Sequence, residues 1–272
     1  MTMPDGACDA HTHVFDPRFV AGPSPYALPD ATFAVHAGHC ASLGTRRAVL
    51  VQPAPYGRDP ACLLDALHQG QGALRGVMIA DEAVTDATLE VWHAAGVRAL
   101  RFVEMAAPGG GGRYPGGIGV EALHALAPRL RALGWQAHLW ASAAQSAALL
   151  PALIPLGVPI VLDHLGMPES VADPAFARLI AHLRDGDIWV KLTLCRVPRG
   201  GLPIAALRPL QDALVAANPD HLLWGSDWPH VRMDPAPDAV QLRDTFLNWI
   251  GDDAITRRIL VDNPARLFDF DA

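Results

Sequence analysis

An α/β protein built as one (β/α)8 barrel is what this sequence predicts, on three observations. Eight short β-rich runs alternate with longer Ala-, Leu- and Arg-rich segments whose apolar residues recur at i, i+3 and i+4. The 272 residues match the length of one such barrel. The polar residues of the β-rich runs gather at their C-terminal ends, where a barrel opens its mouth. An open doubly wound sheet is the alternative, but it ordinarily carries a glycine fingerprint after its first strand. This chain has His-Thr-His there.

Strands are expected at 6–13, 46–52, 74–80, 97–105, 135–141, 159–166, 188–194 and 221–228. The first ends in DAHTHV, and strand alternation puts His11 and His13 on one face, about 6.5–7 Å apart at Cα. Helical periodicity marks 59–69, 85–95, 120–133, 142–154, 174–184 and 204–217. Arg58-Asp59-Pro60 and Asp173-Pro174 supply a capping aspartate and a first-turn proline. The stretch PGGGGRYPGGIG at 108–119 follows the fourth strand and contains no Walker pattern, which suits a mobile loop over the mouth.

Apolar residues make up 51% and charged residues 18%, an ordinary globular composition. A net charge of −7 argues against a nucleic-acid or anionic-membrane partner. The N-terminus lacks a signal-peptide pattern, and no apolar run reaches the roughly 18–20 residues that span a bilayer. Cys8, Cys40, Cys62 and Cys195 are scattered and read as buried thiols in a reducing compartment. A cytoplasmic protein is expected. Arginine is abundant, yet the chain has a single lysine, Lys191.

The strand ends collect an unusual polar set. Strand one ends in His11 and His13, strand four carries Arg101 and Glu104, and strand five carries His138 and Trp140. Strand six ends in Asp163 and His164, and strand seven offers Lys191, Thr193 and Arg196. Strand eight ends in Asp227-Trp228-Pro229-His230. Burying so many polar groups at one end of separate strands is costly without a shared purpose. Asp163 is expected to bond a backbone amide or a neighbouring strand. Lys191 suits either the mouth or an ion pair within the barrel. His36, His39, His68, His93, His124, His182 and His221 read as ordinary surface histidines. Asp227 is the carboxylate expected to face the histidine cluster.

These residues carry a family resemblance, together with DAHTHVF, VRALRF, LGWQAHLW, VLDHLGMP, WVKLT, LLWGSDWPH and LVDNPARLF in that order. The chain resembles the amidohydrolase superfamily, in its amidohydrolase-2 branch. The match lies at His11, His13, His164 and Asp227. Within the branch it is similar to the 2-pyrone-4,6-dicarboxylate lactonases and related sugar-lactone hydrolases and isomerases. The resemblance implies a distorted TIM barrel over residues 1–272 that hydrolyses or isomerises a carboxylate-bearing lactone. It also implies that Arg101 and Arg196 hold substrate carboxylate, with Trp140, His138, Tyr56 and His230 completing the substrate-binding set. The chain departs from that pattern at Ala54, where a serine is expected nearby, at Ala107, where a further arginine is expected, and at Trp140, where a tyrosine is expected. These departures point away from the pyrone dicarboxylate itself.

Ester hydrolysis suits these side chains. Asp227 would take a proton from water and return it to the departing ring oxygen, while His11, His13 and His164 stabilise the oxyanion. The same His11, His13, His164 and Asp227, with His138, also form an N/O ligand set for Zn²⁺ or Mn²⁺. The lactonase resemblance and the fixed charge of Arg101 favour a site needing no cofactor. The alternatives are a lactone isomerase, a zinc-dependent decarboxylase or amide hydrolase of the same fold, and a barrel that only binds a sugar acid.

Overall fold

The structure, a computed structural model, describes residues 2–108, 110–196 and 203–270. Gly109 of the glycine-rich loop therefore lies outside the described residues. Among those described, eight parallel strands pair in chain order around a barrel. They are β1 (Cys8–Thr12), β2 (Arg47–Val51), β3 (Leu74–Met78) and β4 (Val97–Val103). Then follow β5 (Gln136–Trp140), β6 (Ile160–Leu162), β7 (Ile188–Leu192) and β8 (Leu222–Trp224). Each lies inside one of the eight expected runs.

The interposed helices are α1 (Phe33–Leu43), α2 (Ala61–Gln69), α3 (Asp86–Ala94), α4 (Glu121–Leu133), α5 (Ala143–Leu153), α6 (Pro174–Asp185) and α7 (Arg208–Ala217). After β8 come α8 (Ala239–Ile250), α9 (Asp253–Arg257) and α10 (Asn263–Phe268). Helix α1 escaped the periodicity reading because FAVHAGHCASL is apolar or small nearly all round, without a clear stripe. Asp59 accepts from the Ala61 amide at 2.9 Å and Asp173 from the Ala175 amide at 2.8 Å, so both expected capping aspartates act. No described helix is long and apolar enough to cross a membrane.

Two apolar layers hold the barrel. Outside, Leu50, Met78, Leu100, Phe102, Leu162 and Leu192 meet the helices. Inside, Cys8, Ala10, Val49, Val51, Val77, Ala99, Val161 and Leu223 pack on Phe268 and Phe270, so the C-terminal residues stopper the lower end. Backbone bonds fix this stopper: Arg75 Nε donates to Phe268 O at 3.0 Å and Gln136 Nε2 to Leu267 O at 2.6 Å.

The orientation of His11 and His13 has a cause that simple alternation misses. Asp9 pairs with Ala48 and Thr12 with Leu50, so β1 spends one residue more than β2 across that interval. This bulge re-aims the chain. Cys8 and Ala10 face the lumen below it, and His11 and His13 turn to the mouth above it. Thr12 points outward to His36 Nε2 at 3.0 Å.

The seam between β1 and β8 closes at the mouth itself. Asp227 N–H donates to His11 O and His13 N–H to Trp228 O, both at 2.9 Å. Gly225 permits this approach, because a Cβ there would lie 2.6 Å from His11 Cβ.

Candidate active site

The expected sixth and eighth strands stop early, and their last residues form tight turns instead. After β6, His164, Leu165 and Met167 take φ of 55°, 58° and 52°. After β8, Asp227 and His230 take 62° and 59°. Left-handed backbone at bulky residues persists only where the surroundings hold it, and it concentrates at functional sites. Here it lifts His164 and Asp227 off their strands and over the barrel opening.

Beneath the mouth lies a buried charged layer. Asp163 Oδ2 accepts from Arg101 Nε at 3.0 Å, and its Oδ1 lies 3.1 Å from Lys191 Nζ and 3.3 Å from His11 Nδ1. Asp163 thus bonds side chains of β1, β4 and β7, which corrects the expected backbone-amide role. Lys191, wholly buried, is the ion-pair lysine of this layer. Burial would raise the Asp163 carboxyl, but Lys191, His11 and Arg101 outweigh it and hold it well below the usual carboxylate range. Burial and the Lys191 charge push His11 well below the ordinary imidazole value, so its ring is neutral. Lys191 Nζ can only donate, and it lies 3.1 Å from His11 Nδ1. The His11 proton therefore sits on Nε2.

That Nε2 lies 3.6 Å from Asp227 Oδ1, and His13 Nε2 lies 3.5 Å from the same oxygen. His13 is fixed from behind, its Nδ1–H donating to Val51 O at 2.7 Å. Arg196 Nε donates to Asp227 Oδ2 at 2.6 Å. Burial would raise the Asp227 carboxyl, yet Arg196 and the surrounding histidines hold it well below the usual range. His164 meets Thr193 Oγ1 through Nδ1 at 2.8 Å, and burial pushes it down to about 3. Two carboxylates, not one, face the histidines: Asp163 below and Asp227 above, with His11 between them.

Above Asp227 opens a cleft of about 410 Å³, solvent mouth included. His13, Arg101, Trp140, His164, Arg196 and Asp227 line it, so the structure brings together most of the expected set. Arg101 also stacks over Trp140, 5.0 Å from the ring centre.

Three expected residues do not line the cleft. His138 is fully buried with both ring nitrogens unpaired, 5.8 Å from the Phe268 ring in the lumen. Its mid-strand position points it into the barrel below the mouth. The Tyr56 hydroxyl accepts from Asp16 N–H at 3.0 Å and so pins the loop after β1. His230 donates from Nε2 to Ser226 O at 3.1 Å, bracing the turn after β8.

The cleft also contains Phe15, Tyr26, Tyr114 and Arg232, which sequence reasoning did not single out. They come from loops, where no periodicity marks a residue as facing inward.

A second polar cluster supports Asp227 from outside the barrel. Asp9 Oδ1 accepts from Ser226 N at 2.9 Å and from His11 N at 3.2 Å, tying β1 to the turn after β8. His39 Nε2 meets Ser226 Oγ at 3.2 Å and stacks on Trp228 at 5.0 Å. His36 is buried beside it, pushed down to about 4 by burial. These two are therefore not surface histidines. They sit under the turn that carries Asp227.

Two trios place ligand-type atoms within 4.8 Å of one another: His11, His13 and Asp227, and His11, Asp163 and His164. Neither arrangement fits a divalent ion as it stands. Lys191 lies against the second trio and Arg196 against the first, and the His11 proton occupies Nε2. At an effective dielectric of about 20, a +1 and a +2 charge roughly 6 Å apart repel by about 5 kcal/mol.

The amidohydrolase family profile matches residues 8–270. A 4-sulfomuconolactone hydrolase of Rhizobium radiobacter is 32% identical, over 98% of this chain and 91% of its own length. A D-galactarolactone isomerase of Agrobacterium fabrum is 27% identical over 98% of this chain and 92% of its own. Among solved structures, a probable 2-pyrone-4,6-dicarboxylic acid hydrolase from Acinetobacter baumannii, with citric acid bound, superposes with a TM-score of 0.83. It is 25% identical and covers 97% of this chain and 100% of that one. With the barrel, the His-x-His of β1 and the aspartate after β8, these matches establish that the chain belongs to the amidohydrolase family, in its amidohydrolase-2 branch.

Proposed function

We propose that this protein is a metal-independent lactonase, which opens a cyclic ester bearing an acid group by Asp227-assisted attack of water. The observation that carries the reading is the convergence of His11 Nε2 and His13 Nε2 on Asp227 Oδ1, at 3.6 and 3.5 Å, in an arginine-lined cleft. The names of the relatives support a lactone as the substrate class.

In this mechanism Asp227 enters ionised, and Oδ1 takes a proton from water as the water oxygen bonds to the lactone carbonyl carbon. The carbonyl electrons move onto its oxygen, where His164 and the His11 Nε2–H stabilise the charge. When the tetrahedral intermediate collapses, the ring C–O bond breaks and Asp227 returns the proton to the departing ring oxygen. Arg101 and Arg196 each retain N–H groups beyond those given to Asp163 and Asp227, and these pair with the acid group of the substrate. With cations already beside both histidine–carboxylate trios, no step needs a metal. The four free cysteines suit a cytoplasmic setting.

Turnover in ¹⁸O-water of a panel including 4-sulfomuconolactone and 2-pyrone-4,6-dicarboxylate tests this. Hydrolysis places one labelled oxygen in the product carboxylate. An unlabelled product of unchanged mass would mean isomerisation and overturn the reading.

A further inference from the structure

We propose that Arg232, Tyr114 and Tyr26 form an outer subsite for a second acid group, so that the cleft selects a ring bearing two acids. The group is a carboxylate or a sulfonate, which share the charge and oxygen acceptors a guanidinium recognises. The inference deepens the lactonase reading, but its test does not depend on turnover.

Three arginines line the cleft among the described residues: Arg101, Arg196 and Arg232. The first two are committed inward, to Asp163 and Asp227. Among the described residues Arg232 pairs with no carboxylate. Its recorded contact is with Tyr114, its guanidinium carbon 5.7 Å from the ring centre. Stacking fixes the guanidinium plane while leaving its edge N–H groups free, the arrangement that grips a planar acid group bidentately.

The neighbouring side chains agree. The Tyr26 phenol lies within electrostatic reach of Tyr114 and all three arginines, and burial pushes it up, so it stays a protonated donor. Tyr114 also packs on Trp140 at 5.1 Å, joining the outer subsite to the wall above His164. Phe15, Pro53 and Val231 give the same cleft apolar surface for the body of a ring. Arg232 takes φ of 65°, left-handed backbone on the same turn that positions Asp227.

Charge balance points the same way. Four fixed cations, Arg101, Lys191, Arg196 and Arg232, stand against two carboxylates, Asp163 and Asp227. The surplus matches a dianion.

Calorimetry with benzene-1,3-dicarboxylate, 3-sulfobenzoate and benzoate tests the subsite with ligands that cannot be turned over. Wild type should bind at least one of the diacids about tenfold or more tighter than benzoate. Arg232→Gln should abolish that preference while benzoate affinity stays within about twofold, and Tyr26→Phe should weaken it in part. A tighter dicarboxylate identifies a carboxylate group and a tighter sulfobenzoate a sulfonate. Wild type that binds all three equally or none of them, or an Arg232→Gln variant that loses all three alike, overturns the proposal. Loss of lactone turnover with the diacid preference intact would instead count against the lactonase reading.

Discussion

Lys191 Nζ lies 3.1 Å from His11 Nδ1 and 3.1 Å from Asp163 Oδ1, so the single lysine of the chain joins a buried carboxylate to a histidine of the mouth. This contact sets the His11 tautomer and aims its remaining proton at the cleft. It also makes the layer intolerant of losing one partner. Lys191→Met should destabilise the fold by about 3 kcal/mol, because a buried charge loses part of its compensation. Combining it with Asp163→Asn should recover part of that loss. Urea unfolding checks both variants, and a Lys191→Met protein as stable as wild type would contradict the ion-pair account.

Asp227→Asn keeps shape and hydrogen bonding but removes the base. It should lower kcat by roughly 10²–10⁴ while circular dichroism remains native. Near-normal turnover in that variant would remove Asp227 from the proton-transfer role.

Activity and stability should respond to acid at different points. Asp227 is held below the usual carboxylate range, so its ionised form persists as pH falls. The acid limb of kcat/KM should therefore lie below about 3.9, where the folded protein allows measurement. Stability should decline earlier. His11, His138 and His164 are held neutral when folded, so below about 6.5 the unfolded chain binds more protons and gains on the native state. Asp163 and Asp227 add stability above the unfolded carboxylate value, and it is lost as pH falls through their lower folded values. Arg196→Met should shift the kcat/KM limb upward, since it removes the foremost charge holding Asp227 down. An unmoved limb would show that Arg196 does not tune Asp227.

The cluster behind the β8 turn should act through position alone. His39→Ala frees Ser226 Oγ and the face of Trp228, loosening the turn that carries Asp227. We expect kcat to fall roughly tenfold with KM little changed, and His39→Gln to restore part of it through a hydrogen bond to Ser226. A matching rise in KM would place His39 in substrate binding instead.

Much of this was legible in the sequence for a physical reason. Strands such as RAVLV and helices such as PAFARLIAHLRD bury whole faces, so their periodicity is strong. His11, His13, His164 and Asp227 stood out because polar groups at strand ends are expensive. What escaped depends on three-dimensional partners. The β1 bulge is a register relation between two strands. Asp163 and Lys191 became a pair only when β6 met β7. His138 carries the same strand-end look as its neighbours, but its side chain points down toward Phe268. Arg232, Tyr26 and Tyr114 sit on loops, where sequence spacing says nothing about direction.

The central claim is that Asp227 and its histidines open an acid-bearing lactone without a metal. The direct measurement is the initial rate of lactone opening by protein exhaustively chelated and verified by elemental analysis to hold well under one equivalent of Zn²⁺ or Mn²⁺. The account predicts a rate equal to that of untreated protein and unaffected by added Zn²⁺. A rate abolished by chelation and restored by stoichiometric Zn²⁺ would contradict it, and would make His11, His13, His164 and Asp227 metal ligands.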